Sequence, residues 1–93
     1  MSVNIYPAHV VEKTINHADN WDDDSTMNVA NANFWSLVDE YKLNHIITSV
    51  PGHITLKALE TAMMMHQSPR YDERLKKLCA QAHVLKARYI AFS

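Results

Sequence analysis

Glycine and proline are scarce in this sequence: its 93 residues include one glycine, Gly52, and three prolines. All-β folds reverse the chain about every 8–12 residues, and they build many of those turns with glycine, proline, asparagine or aspartate. Alanine, leucine, methionine, lysine and glutamate, which favour helices, recur along the whole chain. The composition therefore argues against an all-β fold and favours long helices with few turns.

A second cysteine, a signal peptide and a long apolar segment are also missing. Cys79 is the only cysteine, so an internal disulfide is excluded and no oxidising compartment is indicated. The first residues lack the basic start and apolar stretch of a signal peptide. No apolar run approaches the ~20 residues that span a bilayer. We expect a cytoplasmic protein that does not contact a membrane.

The chain is short but apolar enough to fold. Apolar residues make up 47% of the sequence and charged residues 20%, unlike the composition of disordered chains. A domain of this size buries only about 60–65% of its unfolded surface, so its core is thin. We therefore predict a single helical domain over residues 1–93, and we expect a partner or a second copy to cover further apolar surface.

Apolar spacings of three and four residues predict about four helices. Pro7 suits a first helical position, and the pair Ser68-Pro69 combines a capping hydroxyl with such a proline. The predicted fold class is all-α, a small bundle of about four helices, with a short extended segment near residues 45–50. The helices are expected over residues 7–18, 25–43, 54–67 and 69–89.

The last predicted helix has the most regular apolar pattern in the chain. Its apolar residues alternate at spacings of four and three, which would bury one stripe inside a bundle. The same heptad pattern would also serve between two chains, so a monomeric bundle and a helix-exchanged dimer both stay open. The stripe consists of Tyr71, Leu75, Leu78, Ala82, Leu85, Tyr89 and Phe92.

Two candidate metal sites lack essential ligands. Oxygen-bearing side chains alternate over residues 22–28, as in a calcium loop, but Met27 stands where that loop needs glycine and Asn33 where it needs a bidentate glutamate. The six histidines are scattered, and the pair Cys79 and His83 gives only two of the three or four ligands that zinc needs. We predict no metal site and no cofactor.

An enzymatic hypothesis would use the same pair, because Cys79 and His83 lie four residues apart and would share one side of a helix. The sequence suggests neither a third group that orients the imidazole nor an oxyanion pocket, and the common enzyme motifs are absent. A thiol packed at the edge of the core is the simpler interpretation. We predict no enzymatic activity and no catalytic residue.

Charge is divided unevenly along the chain. Residues 1–47 carry seven acidic and two basic side chains, a net −5, whereas residues 48–93 carry seven basic and three acidic ones, a net +4. A helix-turn-helix over residues 54–78 that contacts phosphates is therefore the alternative function. The total charge of −1 argues against it, since nucleic-acid binders are commonly basic. The contacts of this alternative would be Arg70, Arg74, Lys77 and Arg88.

Methionine and tryptophan side chains indicate a contact surface. Residues 63–65 are three consecutive methionines, which span roughly 200° of a helix, so at least one of them must face solvent or a partner. Exposed thioethers adapt to many surfaces, and tryptophan often anchors interfaces. The predicted partner-binding residues are Trp21, Trp35, Met64 and Met65.

No motif identifies a function, so the prediction is coarse. We expect a non-enzymatic interaction protein, a small regulator or inhibitor that covers part of a larger protein partner. By base rate such small proteins are common as accessory proteins of phages and mobile elements, which would place this one in the host cytoplasm. Opposite charges in the two halves of the sequence would favour oriented association, including a homo-oligomer.

Overall fold

The computed structural model describes residues 1–19 and 25–93 and has an α+β fold. The prediction of an all-α helical bundle is wrong, because five strands form one antiparallel sheet beside three helices in the described residues. The elements are β1 (Ser2–Val11), β2 (Thr14–His17), β3 (Met27–Ala30), α1 (Asn31–Glu40), β4 (Gly52–Thr55), α2 (Leu56–Met65), α3 (Asp72–Val84) and β5 (Tyr89–Phe92).

The long strand β1 is the centre of the sheet, whose order is β2-β1-β5-β4 with β3 also on β1. Residues Ile5 to Ala8 of β1 pair with β5 along one edge. Along the other edge, β3 pairs with the first half of β1 and β2 with the second half. The strands of the acidic half, β1 to β3, lie on one side of the sheet and those of the basic half, β4 and β5, on the other, so the two halves meet where β1 pairs with β5.

The first predicted helix, over residues 7–18, is instead a β-hairpin. Its two-residue turn, Glu12 and Lys13, has φ angles of 50° and 70°, the left-handed conformation of a type I′ turn. Such turns usually carry asparagine or glycine, and their absence here removes the usual hairpin signal from the sequence. The β-branched pair Val10 and Ile15 lies opposite across the hairpin, where such side chains pack well.

Pro7 occupies a central strand, although proline cannot donate a hydrogen bond. Its carbonyl accepts from the amide of Ala18 at 2.9 Å, which shows that this residue faces the edge of β1 shared by β2 and β3. The pairing of β3 ends at Ile5 and that of β2 begins at Ala8, so Pro7 lies in the gap between them. Its missing N–H removes only the reciprocal bond to Ala18, at a position that already lies beyond the end of β2.

The other three predicted helices exist but are shorter. Residues 25–43 hold β3 followed by α1, residues 54–67 hold the end of β4 followed by α2, and the last helix ends at Val84. The segment 45–50 is not a strand; β4 begins only at Gly52. Strands of four residues pass directly into helices, so the apolar residues of both merge into one apparently helical pattern.

The helices cover one face of the sheet. Phe34 and Leu37 of α1, Leu59 of α2 and Leu75 of α3 share a core with alternate residues of the strands. The helices have 10, 10 and 13 residues, and within the described ranges none is both long and apolar enough to cross a bilayer. The strand residues of this core are Val3, Ile5, Met27, Val29, Ile54, Ile90 and Phe92.

Gly52 is required by close packing where β4 meets β5. A Cβ atom at this position would lie 2.8 Å from Cε2 of Phe92 and 3.1 Å from the carbonyl oxygen of Ser49. Gly52 and Phe92 are direct partners in the ladder, so the ring occupies the space of the missing side chain. The one glycine of the chain therefore serves packing, not a turn.

Buried polar groups join the end of α1 to the beginning of α3. The hydroxyl of Tyr41 donates to the carboxylate of Asp72, which also accepts from the amide of Ser68 at 3.3 Å. The hydroxyl of Ser68 donates to Glu40 at 2.9 Å. We call Glu40, Tyr41, Ser68 and Asp72 the polar junction. Burial and then the Asp72 carboxylate raise the pKa of Tyr41 above its ordinary value of 10.0, so its phenol stays protonated as the donor.

Candidate interaction surface

The end of α2 exposes two large apolar side chains. Met64 is 87% exposed and Met65 is 72% exposed, whereas Met63 is half-buried against the core. Consecutive residues on a helix diverge by about 100°, so only one of the three can face the core. The expectation that at least one of these methionines meets solvent is confirmed; their binding of a partner stays a prediction.

Met64 borders a groove between α2 and α3. The groove encloses about 440 Å³ and is rimmed by Glu60, Lys76 and His83. Its apolar lining, which we call the thioether groove, consists of Met63, Met64, Cys79 and Ala80.

Cys79 forms part of the groove floor, and its thiol is unreactive. Its Sγ atom lies 3.9 Å from the sulfur of Met63, and desolvation by burial, followed by the charge of Glu60, raises the pKa of the Cys79 thiol to about 12. His83 does not contact this thiol; its Nε2 lies 3.0 Å from the Glu60 carboxylate. The structure therefore does not assemble the thiol–imidazole pair of the enzymatic hypothesis, and the thiol is protonated at neutral pH.

Met65 faces the opposite flank of α2. There it borders a second cavity, of about 460 Å³, together with Leu43 and with Ile46, which is 43% exposed. The exposed end of α2 therefore separates two apolar surfaces, and Met64 and Met65 belong to different ones.

Trp35, the tryptophan that the structure describes, is not part of either groove. Trp35 lies on α1, half-buried against the core, and its ring meets that of Phe34 edge-to-face at 5.1 Å. It lines neither the thioether groove nor the cavity beside Met65. Trp21 lies outside the described residues.

Two of the four predicted phosphate contacts are engaged within the fold. The guanidinium of Arg70 donates to the side chain of Asn33 at 3.0 Å, and that of Arg74 donates to the backbone carbonyl of Asn28 at 3.0 Å. Both therefore hold the beginning of α3 against α1 and β3. This use of their donors does not favour the helix-turn-helix alternative.

The four predicted phosphate contacts do not share one helix, because α3 ends at Val84. Lys77 is exposed on α3, whereas Arg88 lies beyond the helix, just before β5. The two are therefore on different elements, and no helical spacing relates them.

Comparisons with known proteins give no relative from which a function could be transferred. No protein family, curated protein or solved structure matches the chain. Within residues 1–19 and 25–93, no group of three or more histidine, cysteine, aspartate or glutamate side chains is placed to hold a metal ion. The surfaces of α2 and α3 are the features from which a function can be proposed.

Sequence reasoning missed a third cavity, of about 530 Å³, at the start of α2. Lys57, Lys86 and Arg88 line it together with Tyr89, and we call these three cations and the cavity between them the cationic cleft. Lys57 lies on α2, whereas Lys86 and Arg88 lie in the short segment between α3 and β5. Lys86 and Arg88 are neighbours in the sequence, whereas the pairing of β4 with β5 brings Lys57 to them, and no sequence spacing signals that pairing.

Proposed function

We propose that this protein is a non-enzymatic interaction module, a regulator or inhibitor that binds a larger protein partner through the thioether groove. The observation that carries the proposal is the 87% exposure of Met64 beside a groove with an apolar floor. A methionine that faces water contributes little to folding, whereas its flexible thioether contacts many partner shapes well. Large exposed apolar patches that are rimmed by polar residues are typical of interaction sites.

The apolar surface continues along α3 beyond the groove. Val84 is 74% exposed and lies four residues after Ala80, so both occupy the same side of the helix. A partner helix laid between α2 and α3 would meet Met64 on one wall and this α3 stripe on the other. Helix-in-groove recognition uses such parallel apolar walls.

Position-specific cross-linking tests the proposal. The photoreactive residue p-benzoylphenylalanine is placed at Met64, or at Ala32, an exposed position on α1 that serves as the matched control. Irradiation in the cells that make the protein should give a discrete protein adduct from position 64 and none from position 32. Excess unlabelled wild-type protein should remove the adduct, because both compete for one partner.

Competition by a second variant decides whether the groove itself is used. Met64→Gln protein should remove the adduct only at about tenfold higher concentration than wild type, since glutamine keeps the helix but loses the apolar contact. Excess Ile46→Gln, altered on the opposite flank of α2, should remove it as well as wild type does. Equal adducts from both labelled positions, or equal competition by Met64→Gln and wild type, would contradict the proposal.

A further inference from the structure

The cationic cleft has positive charge that the fold itself does not balance. None of Lys57, Lys86 and Arg88 forms an ion pair within the described residues. The one acidic side chain that lines the cleft, Glu60, is bound to His83. The cavity therefore carries three cations against one carboxylate.

Two of these cations lie where the helix increases the positive potential. Lys57 is in the first turn of α2, at the positive end of the helix dipole, and that turn carries no acidic residue. The carbonyl of Arg88 accepts from the amide of Leu56 at 2.7 Å, which brings Arg88 to the same helix end. The positive charge of Lys86 has a structural role, since Lys86 follows the negative end of the α3 dipole and stabilises it. An anionic group bound here would relieve the repulsion between Lys57 and Arg88.

The cationic cleft and the thioether groove are neighbouring parts of one surface. Glu60 and His83, whose side chains are 3.0 Å apart, line both cavities. A ligand that crosses this bridge would meet Met63 and Met64 on one side and Lys57 and Arg88 on the other. Apolar and cationic subsites are thus side by side.

We propose that the occupant of this combined surface is a short amphipathic segment of the partner protein, with apolar side chains in the thioether groove and acidic side chains in the cationic cleft. This inference rests on the proposed function and specifies the chemistry of the partner. The cationic cleft favours acidic side chains by charge complementarity, and the apolar floor of the thioether groove favours apolar side chains. A nucleic acid fits less well, because the rings that line the cleft for base stacking are those of Tyr89 and His83, and His83 is hydrogen-bonded to Glu60.

Selection from a display library of random 16-residue peptides on the intact protein tests this chemistry. Enriched peptides should carry apolar residues at helical spacing and an excess of aspartate and glutamate. A synthetic peptide of the enriched sequence, labelled with fluorescein, then reports binding by anisotropy. Its Kd should rise about tenfold for Arg88→Glu and for Met64→Gln, because each removes one subsite.

Lys77→Glu is the matched control, since it makes the same charge change on an exposed residue of α3 outside both cavities. Its Kd should stay within about twofold of wild type. Binding that Met64→Gln weakens but Arg88→Glu leaves unchanged would overturn the acidic partner and leave the proposed function standing. Enrichment of basic peptides would likewise overturn it. Peptides insensitive to both substitutions, or binding of a single-stranded oligonucleotide without peptide binding, would overturn both proposals.

Discussion

The two ends of α3 are built in opposite ways. At its beginning, the polar junction holds buried hydroxyls against half-buried carboxylates, and no buried side-chain polar atom of the described residues lacks a partner. Toward its end, the thioether groove leaves apolar side chains facing solvent. Buried polar groups are costly to leave unpaired, so they fix α3 against α1, whereas exposed thioethers contribute little to folding. The comparison indicates that the polar junction stabilises the fold, whereas the thioether groove is available for binding.

The reaction rate of the Cys79 thiol should differ most strongly between the folded and the unfolded protein. This difference tests whether the floor of the thioether groove is buried while its rim is exposed. A thiol whose pKa is about 12 instead of 9.0 has roughly a thousandfold less thiolate at pH 8. Reaction with a small aromatic disulfide reagent should therefore be about a thousandfold slower in the folded protein than in guanidinium. A difference of less than tenfold would mean that the floor is as open as the exposed Met64.

The same thiol determines the sign of a pH effect on stability. Between pH values of about 9 and 12 the unfolded chain releases the Cys79 proton and the folded protein retains it. The unfolded state then binds fewer protons, so the free energy of unfolding falls as the pH rises through this window. Denaturant titrations of wild type and Cys79→Ala should show a shallower fall for the variant, and parallel curves would contradict the burial of the thiol.

Tyr41→Phe should destabilise the polar junction by about 2 kcal/mol, because hydrogen bonds to a charged acceptor contribute roughly 1.5–3 kcal/mol. Tyr71→Phe is the matched control: its hydroxyl donates to the neutral carbonyl of Asn33 at 3.3 Å, so its loss should cost about 1 kcal/mol or less. Urea unfolding measures both. Equal losses in the free energy of unfolding for the two variants would show that the hydrogen bond of Tyr41 to Asp72 contributes no more than a neutral one.

Glu60→Gln should change stability by about 0.5 kcal/mol or less, since the Glu60–His83 pair is largely exposed and such pairs contribute little. The same substitution should accelerate the reaction of Cys79, because the charge of Glu60 helps to raise the pKa of that thiol. Thermal unfolding and thiol kinetics on one sample check both. A loss above 1 kcal/mol in the free energy of unfolding would show that the Glu60–His83 pair helps to hold the fold together.

Met64→Gln should have the smallest effect on folding, within about 0.5 kcal/mol of wild type, as for most exposed substitutions. Its effect on partner binding should nevertheless be large. A loss of 1 kcal/mol or more in urea unfolding would show that Met64 helps to hold the fold, and the contrast between the two ends of α3 would then disappear.

The helices were predictable from the sequence because their apolar residues repeat over three or more turns. The stripe Tyr71, Leu75, Leu78 and Ala82 is buried on the inner side of the last helix or just before it, as its spacing predicts. Strands of four residues allow only two alternations, and β3 and β4 pass without a linker into helices. The hairpin turn at Glu12 and Lys13 lacks the usual turn residues. The sheet was therefore missed.

The candidate surface was predictable only where neighbours in sequence determine it. Three consecutive methionines require exposure on any helix, which holds for Met64 and Met65. The cationic cleft depends on Lys57 and Arg88, which lie far apart in the chain and meet through the ladder of β4 and β5. Long-range pairing of this kind leaves no periodic trace, so local patterns cannot reveal it.

The direct passage from β4 into α2 has a mechanical consequence. Thr55 ends the strand and caps the helix by accepting from the amide of Ala58 at 3.0 Å, so no hinge residue separates the two elements. One wall of the groove is thus a rigid extension of the sheet edge. A docking segment would meet a preorganised surface, and little conformational entropy of this protein would be lost on association.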